Sequence, residues 1–589
     1  MSPTNPTSRT SPTSQTSPTS PTSPTSSTPP DTADTPDVTV TVIVFNDAER
    51  LPRAVASLRR QTHRRIEIII SDDHSTDRTP EVARALAARD ARIRFLRLPE
   101  NSGGCSAPRN RAMDLARAPY LMFLDSDDEL PERACELLLA AHRERPVDFT
   151  MGQVERVRVD TGARSTWMPD LVAERRTVAG VEAEPRLLFE HLSTSKMYAR
   201  RFLDRHALRF PEGIHYEDQL FTAQAYCLAE AFTIVPEPVY RWYIEPYAAA
   251  DAASISNQRH KISNVRDRIH VQTLIDAFLV DSGHAALRAD KDYKFLRHDV
   301  RMYAGDLPYR DETWLREFAD TVTPYLAGLA PGSYARLPRA ERVTIALLRE
   351  GRLAEAALAA RGMGHGVGPR ETVTGADGRV YWGGQLPGSA ATRPELDLTS
   401  EELDTRPFAV ALFRHEITQV APGPGATVDL RIRSYDPGLQ LAVGPHRAAL
   451  HLAPAGRRLT QHFRIDPVRP GVFEGAVRLD LAAAALPVYG FDGVRHPVLE
   501  LAEQRQRNSG PLLAPLDFTP LTAAIHRHQV TVEPEGRGAG RLQVRWAPTG
   551  ALVRAARPLG DRLRAGRAGR PRSGTPGSGT RRRAGCTVP

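Results

Sequence analysis

"APYLMFLDSDDELPE", residues 118–132, runs from a nearly unbroken apolar segment, Tyr120–Leu124, straight into three carboxylates, Asp125, Asp127 and Asp128. An apolar run of that length, bounded by polar residues, predicts a fully buried strand. Carboxylates this close repel one another, so they persist at a solvated edge or around a counter-charge such as a divalent cation. Taken alone, the stretch reads equally well as a polar exit from strand to loop. Its neighbours along the chain decide.

Upstream, "VTVTVIVF" (38–45) predicts a strand, and "AERLPRAVASLRRQ" has the helical spacing of Leu51, Val55 and Leu58. "RIEIIIS" is a second buried strand, "RIRFLRL" alternates as a third, and "CSAPRNRAMDLARA" is again helical. "TPEVARALAARD" carries a helix start, with Thr79 as cap, Pro80 at the first helical position and Glu81 in the first turn. Strand and helix alternate at the spacing of βαβ units. The predicted class is therefore α/β, a mostly parallel sheet with helices on both faces.

A chain of 589 residues has room for roughly three or four domains. Residues 1–37 repeat "PTSPTS" and form a Pro/Thr/Ser-rich arm that cannot bury a core. The α/β domain spans 38–250 and a helical segment, typified by "ERVTIALLREGRLAEAALAARG", spans 251–368. Over 369–550, short alternating runs such as "ATVDLRIRSYD", "GVFEGAVRLDL" and "HQVTVEPEG" predict one or two accessory antiparallel β-sandwich modules. Residues 551–589 are expected to be a basic, disordered tail.

Cys105, Cys135, Cys227 and Cys586 show no disulfide or metal-ligand spacing, which points to a reducing compartment. No stretch reaches the roughly 18 apolar residues of a membrane-spanning helix, and the N-terminal residues lack an apolar signal region. The expected localisation is cytoplasmic, with the tail making peripheral contact at the inner membrane face. Net charge is +8, and the tail "RPLGDRLRAGRAGRPRSGTPGSGTRRRAG" contains one acid among its arginines. Each basic residue near an anionic membrane contributes about 1 kcal/mol. Nucleic acid is not an expected partner, because no nucleic-acid module or aromatic stacking pattern accompanies the arginines. Removing residues 556–589 is expected to weaken retention on anionic vesicles at low salt, and salt-resistant retention would overturn this reading.

In a parallel α/β sheet, ligands bind beyond the carboxyl ends of the strands. Three of the predicted strands end there in acids, at "FNDAE", "SDDHSTD" and "DSDDE". Each has a plain explanation in turn formation and helix capping, but all three feed one edge. "ENSGGCSAPRN" adds a glycine pair before a helix, with Arg109 as a complement to an anion. There is neither a P-loop nor a GxGxxG fingerprint.

Together "VTVIVFNDAERL", "QTHRRIEIIISDDHSTDRT", "NSGGCSAPRNRAMDLARAPYLMFLDSDDEL" and "FPEGIHYEDQLF" resemble family 2 glycosyltransferases of the GT-A fold, over about residues 39–260. Two features depart from that family. Its usual Pro-Val-Tyr-Asn run is shortened to Phe45-Asn46-Asp47, and His74 stands where glycine is common. The resemblance implies that "DSDD" is a DxD motif, with Asp125 near the ribose and Asp127 on Mn²⁺ or Mg²⁺ bridging a nucleotide diphosphate. It further implies that Asp73 bonds the nucleobase, that Phe45 packs on it and that Arg109 supports the pocket. The chemical need is an offset for the charge that accumulates on the departing diphosphate, for which hard oxygen ligands and a divalent cation are suited.

The same resemblance assigns the acceptor base to the acidic pair opening "HYEDQLFTAQAYCLAEA", with Asp218 as base and Glu217 as its orienting neighbour. Simple complementarity to a helix dipole, about 0.3–1 kcal/mol, is the competing reading. Downstream, "YRWYIEPYAAADAASISNQRH" resembles the aromatic-rich segment and "SIS" that close such sites, and there Arg259 or His260 either reaches the diphosphate or caps the next helix. The resulting expectation is an inverting, metal-dependent transferase that moves a sugar from a nucleotide sugar, a UDP-sugar foremost, to a cell-surface glycan or wall polymer. An antiparallel β module behind a GT-A domain resembles enzymes that decorate polyol-phosphate polymers such as teichoic acids, where such modules serve oligomerisation or polymer binding. A DxDxT phosphatase is weakened because no Thr occupies the fifth position. A carbohydrate-binding scaffold with an inert α/β domain is the other alternative.

Overall fold

The alternation of strand and helix closes into a sheet whose two faces are both covered. The computed structural model describes residues 35–244, 258–363, 367–452, 459–484, 493–503, 505–514, 520–525, 528–534 and 540–548. The expected N-terminal arm (apart from residues 35–37), the "SIS" segment and the basic tail lie outside them.

The first half of the sheet holds β1 (Val38–Val44), β2 (Ile66–Asp72), β3 (Ile93–Arg97) and β4 (Tyr120–Asp125). The second holds β5 (Phe149–Arg158), β6 (Arg164–Thr166), β7 (Arg176–Val178), β8 (Lys196–Ala199) and β9 (Phe232–Ile244). The order is β3-β2-β1-β4-β8-β5-β9-β7, with β6 paired to β5. Strands β1 to β5 and β9 share one direction, while β6, β7 and β8 run against them. The predicted mostly parallel sheet is what forms.

Helices α1 (Leu51–Arg59), α2 (Thr79–Arg89), α3 (Ser106–Leu115), α4 (Ala134–Glu144), α5 (Arg200–Arg205) and α6 (Glu217–Leu228) surround it. The uniformly apolar β4 explains both faces. Met122 and Leu124 join a core with Leu51, Val55 and Leu58 of α1 and Leu138 of α4. Leu121 and Phe123 point the other way, into a core with Met113 of α3 and Leu220 and Phe221 of α6. A strand buried on both faces loses the polar half of its alternation.

Thr79 does not cap α2 as expected. It is the first helical residue, and its Oγ1 accepts a hydrogen bond from the Asp47 amide at 2.9 Å. Asp77 Oδ1 accepts from the Thr79 amide instead, at 2.9 Å. A long-range bond to the β1 exit outcompetes the local cap.

The helical segment contains α7 (Ile262–Asp281), α8 (Arg288–Lys294), a π-helical turn (Phe295–Val300), α9 (Arg301–Asp306), α10 (Glu312–Ala327), α11 (Pro331–Ala335), α12 (Arg339–Arg349) and α13 (Leu353–Ala360). Its core also takes in Tyr381, Trp382, Leu396, Leu398 and Leu403. The core of the β region begins at Phe408.

That β region is antiparallel as predicted, but it closes. Strands Arg414–Pro422, Thr427–Tyr435, Val472–Asp480, Leu459–Arg469, His446–Leu452, Val498–Glu503 and Gln506–Leu513 form a closed barrel rather than an open sandwich. A short parallel pairing, His415 to Leu512 and Glu416 to Leu513, makes the closure. Alternating strands look alike in sandwich and barrel; only the pairing of the first and last strands distinguishes them, and closure removes exposed edges. A second sheet of Gly493–Arg495, Leu542–Pro548, His528–Pro534 and Leu521–Ile525 shares the barrel's core through Val530, Val532 and Val544.

Candidate functional site

Register brings the acidic strand ends together. Val44 pairs with Asp72 and Ile43 with Asp125, so β1, β2 and β4 exit side by side. Phe45 leaves β1 with 49% of its surface exposed, unusual for a phenylalanine flanking a buried strand. Asn46 and His74 both adopt left-handed backbone, at φ 48° and 61°. At position 74 glycine would enter this region without a Cβ penalty. The imidazole is anchored by its Nδ1 to the Leu98 carbonyl at 3.1 Å. Asn46 holds its turn by accepting from the Thr76 and Asp77 amides at 2.8 and 3.3 Å. Asp73, buried at the β2 exit, accepts from Asn101 Nδ2 and the Ser102 amide, both at 3.0 Å. Those bonds fasten the glycine loop and leave part of the carboxylate's acceptor capacity unused.

The three carboxylates of "DSDD" have three different fates. Asp128 turns inward and accepts from Tyr240 Oη at 2.6 Å and the Tyr243 amide at 2.8 Å. Burial, with Asp127 and Asp125 beside it, pushes its carboxyl well above the usual range. Asp125 accepts from Arg109 Nη2 at 2.8 Å. The Asp127 carboxylate accepts no such bond among the described residues. Its nearest ion-pair partner is Arg50, with Nη1 3.7 Å from Oδ2. Burial in the cleft and the Asp125 charge push its carboxyl up to about 6.

Arg109 is the link between the halves of the site. Its side chain is 5% exposed and binds Asp125 through Nη2 and Glu217 through Nη1. Burial opposes its charge, but Asp125, Glu217 and Asp218 outweigh burial and hold it charged. Helix α3 also fixes the segment leading into α6. Asn110 donates to the Phe210 carbonyl and accepts from its amide, both at 2.9 Å, and Phe210 stacks on Phe221 with centroids 4.0 Å apart. Tyr216, at φ 66°, then turns the chain sharply into α6.

Glu217 is therefore spent on Arg109, while the Asp218 carboxylate makes no hydrogen bond or ion pair among the described residues. Burial and the adjacent Glu217 raise Asp218 to about 7; Arg109, Lys294 and Arg268 pull the other way. Burial and Glu217 thus hold this acid above the ordinary carboxylate range although it lies in the first turn of a helix.

Several functional neighbours escaped the sequence reading. Arg50, just ahead of α1, and Arg53, in its first turn, reach toward "DSDD", Arg50 also pairing with Asp47 at 2.9 Å and Arg53 donating to the Asp127 carbonyl. The spacing of two arginines three apart, directly behind an acidic strand exit, was the available signal. Tyr240 and Tyr243 of β9 lie in the aromatic-rich segment, but their bonds to Asp128 follow from the sheet order alone.

The family model of glycosyl transferase family 2 matches residues 39–206. These residues belong to glycosyl transferase family 2. The family 2 domain is 31% identical over 222 residues to poly(ribitol-phosphate) beta-N-acetylglucosaminyltransferase TarP of Staphylococcus aureus, covering 37% of this chain and 66% of TarP. It is 25% identical over 211 residues to a poly(ribitol-phosphate) beta-glucosyltransferase of Bacillus spizizenii, covering 35% of this chain and 32% of that enzyme. The chain thus spans slightly less than two thirds of TarP. A crystal structure of S. aureus TarS aligns with 88% of this chain and 86% of its own, at 15% identity and a TM-score of 0.48.

Arg259 is not brought to the carboxylates of the family 2 domain by any contact among the described residues. Its Nε pairs with Asp306 Oδ2 at 3.0 Å, while the His260 carbonyl accepts from Trp314 Nε1 at 2.9 Å. Neither contact caps the next helix, whose N-terminal cap position is Lys261; both tie the chain ahead of α7 to α9 and α10.

A divalent cation fits the donor set that remains. With Asp125 and Asp128 engaged, Asp127 is left as an acidic oxygen donor whose side chain is 36% exposed. Mg²⁺ commonly takes one or two carboxylates and completes its shell with substrate phosphate and water. Asp127→Ala is expected to keep its melting temperature, because a cleft carboxylate supports little core, but to lose the Mn²⁺-dependent thermal shift with a nucleoside diphosphate. An unchanged metal-dependent shift in that variant would remove Asp127 from the cation site.

Proposed function

We propose that the chain is an inverting, metal-dependent glycosyltransferase that moves a hexose or N-acetylhexosamine from a UDP-sugar to a hydroxyl of a polyol-phosphate wall polymer. One observation carries this reading. Arg109 neutralises Asp125 and Glu217 together, while among the described residues Asp127 has only the 3.7 Å ion pair from Arg50 and the Asp218 carboxylate has no partner, one acid on each side of the site. Two acids with different environments suit two different tasks.

Asp127 would hold the cation, which when bound offsets negative charge on the leaving nucleoside diphosphate. Phe45 offers an exposed apolar face for the base, and Asp73 retains acceptor capacity beside it. Arg109 fixes the Asp125 side of the donor pocket. Asp218 accepts the proton of the incoming hydroxyl as that oxygen attacks the anomeric carbon from the face opposite the leaving group. A carboxyl near 7 is suited to this step, since a general base works best with a pKa near the operating pH. The names of TarP and of the Bacillus enzyme support the poly(ribitol-phosphate) acceptor and the choice of sugar.

The test is a transfer assay with UDP-GlcNAc and UDP-glucose, Mn²⁺ or Mg²⁺, and a ribitol-phosphate oligomer, with product configuration read by NMR. A β-linked product is expected from the α-linked donor. Retained configuration would exclude single displacement, and donor binding without transfer or hydrolysis would favour a carbohydrate-binding scaffold.

A further inference from the structure

The base-bearing helix α6 rests on a buried polar cluster that comes from outside the family 2 domain. Gln219, next to Asp218, accepts from Lys294 Nζ at 2.6 Å and from Gln272 Nε2 at 2.8 Å, and donates to Asp299 Oδ1 at 3.3 Å. Asp299 in turn binds Lys294 at 2.8 Å and pairs with Arg268. Arg268, Gln272, Lys294 and Asp299 are all at least 95% buried. The Arg268 guanidinium also lies 3.7 Å from the ring centre of Tyr216, the residue that turns the chain into α6. A small cavity of about 20 Å³, room for one water, borders Gln219, Gln272 and Lys294.

This is an expensive arrangement for a merely structural support. Two cations and one anion lie out of water where apolar residues would pack at no electrostatic cost. The backbone is adapted to it as well. Residues five apart do not share a face of an α-helix, yet Lys294 and Asp299 meet because the turn Phe295–Val300 is π-helical. Such turns recur at functional sites.

We infer that the Lys294–Asp299–Arg268 cluster of the helical segment is a positioning and charge-setting device for Asp218. It holds Gln219, and with it the first turn of α6, and it places net positive charge behind the carboxylate that must become an anion to take a proton. The inference rests on the reading of Asp218 as acceptor base. Other groups also face Asp218: Glu217 on its own helix, Arg109 and Cys105 from α3 and its entry, and Lys196 and Tyr198 from β8. Of these, Lys196 is matched by Glu190 and Arg109 by Asp125 and Glu217. Within the cluster His298 Nδ1 lies 3.2 Å from Asp299 Oδ1 and the His191 ring packs on His298, and burial lowers both imidazoles, so the charge acting on Asp218 is the excess of Lys294 and Arg268 over Asp299.

The experiment is the pH dependence of transfer at saturating donor in the full chain, together with donor dissociation constants. Lys294→Gln keeps an N–H donor for Gln219 but removes a cation, so its acid limb should move up by about half a pH unit or more. That shift costs roughly twofold in rate near pH 7, about threefold well below it, and little above pH 8.5. Asp299→Asn removes the anion that offsets both cations, so its limb should move down. Lys294→Arg should restore the wild-type limb, and donor affinity should change less than about twofold throughout. Opposite displacements from two substitutions in one cluster are not what loss of packing produces, and either variant alone decides if the other fails to fold. Limbs that stay in place, or move together, would overturn the inference. Asp218→Asn run in parallel separates the two claims: if it abolishes the limb while the cluster variants leave theirs unmoved, the base reading stands and the device does not.

Discussion

Asp218→Asn should reduce sugar transfer by roughly 10²–10⁴, the range expected for a positioned general base. Donor affinity should be unchanged, because the carboxylate holds nothing else in place among the described residues. In the wild type the rate should climb as pH rises through about 7, where Asp218 loses its proton, and this limb should be absent from the variant. Glu217→Gln should cost less in the chemical step, since Glu217 is spent on Arg109. Near-wild-type transfer by Asp218→Asn, with a much larger loss for Glu217→Gln, would reverse the two roles.

The same substitution has a signature in stability. A carboxyl raised in the folded state favours the protonated form there, so its stabilising share is complete below the unfolded value of about 4 and is lost as pH climbs toward 7. An amide does not titrate. Asp218→Asn should therefore melt higher than the wild type above pH 7, with the difference vanishing toward pH 4. Such a site trades stability for activity. A variant that melts lower than the wild type at every pH would show that Asp218 supports the fold instead.

Arg109→Met should be the most destabilising change in the site. The side chain is 5% exposed and lies between Asp125, 34% exposed, and Glu217, 8% exposed. Removing one partner of a buried ionic cluster typically costs about 3–5 kcal/mol, because the remaining charges lose their compensation. Asp125 keeps some contact with water, so the lower end of that range applies here. The loss should ease in mild acid, where an uncompensated carboxylate takes up a proton. Arg109→Lys should recover only part of it, since an ammonium does not reproduce the two-sided guanidinium fork. Urea melts at pH 5 and pH 8 measure both effects, and a loss under about 1 kcal/mol at pH 8 would mean that the two acids do not depend on Arg109.

Much of the α/β core was determined by the sequence itself. Continuous apolar runs such as Tyr120–Leu124 bury on both faces, and the turn from strand period to helical period is local information. Polar strand ends at Asn46, Asp73 and Asp125 were legible for the same reason, because a parallel sheet sends every strand exit to one edge. The acidic pair at 217–218 was likewise visible as a helix start. What remained hidden was which acid does what. Asp125, Asp127 and Asp128 are almost adjacent in the chain, and only the approach of Arg109 from α3 and of Tyr240 and Tyr243 from β9 divides them into an anchored, a partly exposed and a buried carboxylate. Asp218 is separated from Glu217 by the same long-range contact. Barrel closure, too, depends on pairing His415 with Leu512, residues nearly a hundred positions apart. Local propensity and periodicity act within a few residues, whereas charge compensation and strand closure are decided by whatever the whole fold brings within a few ångströms.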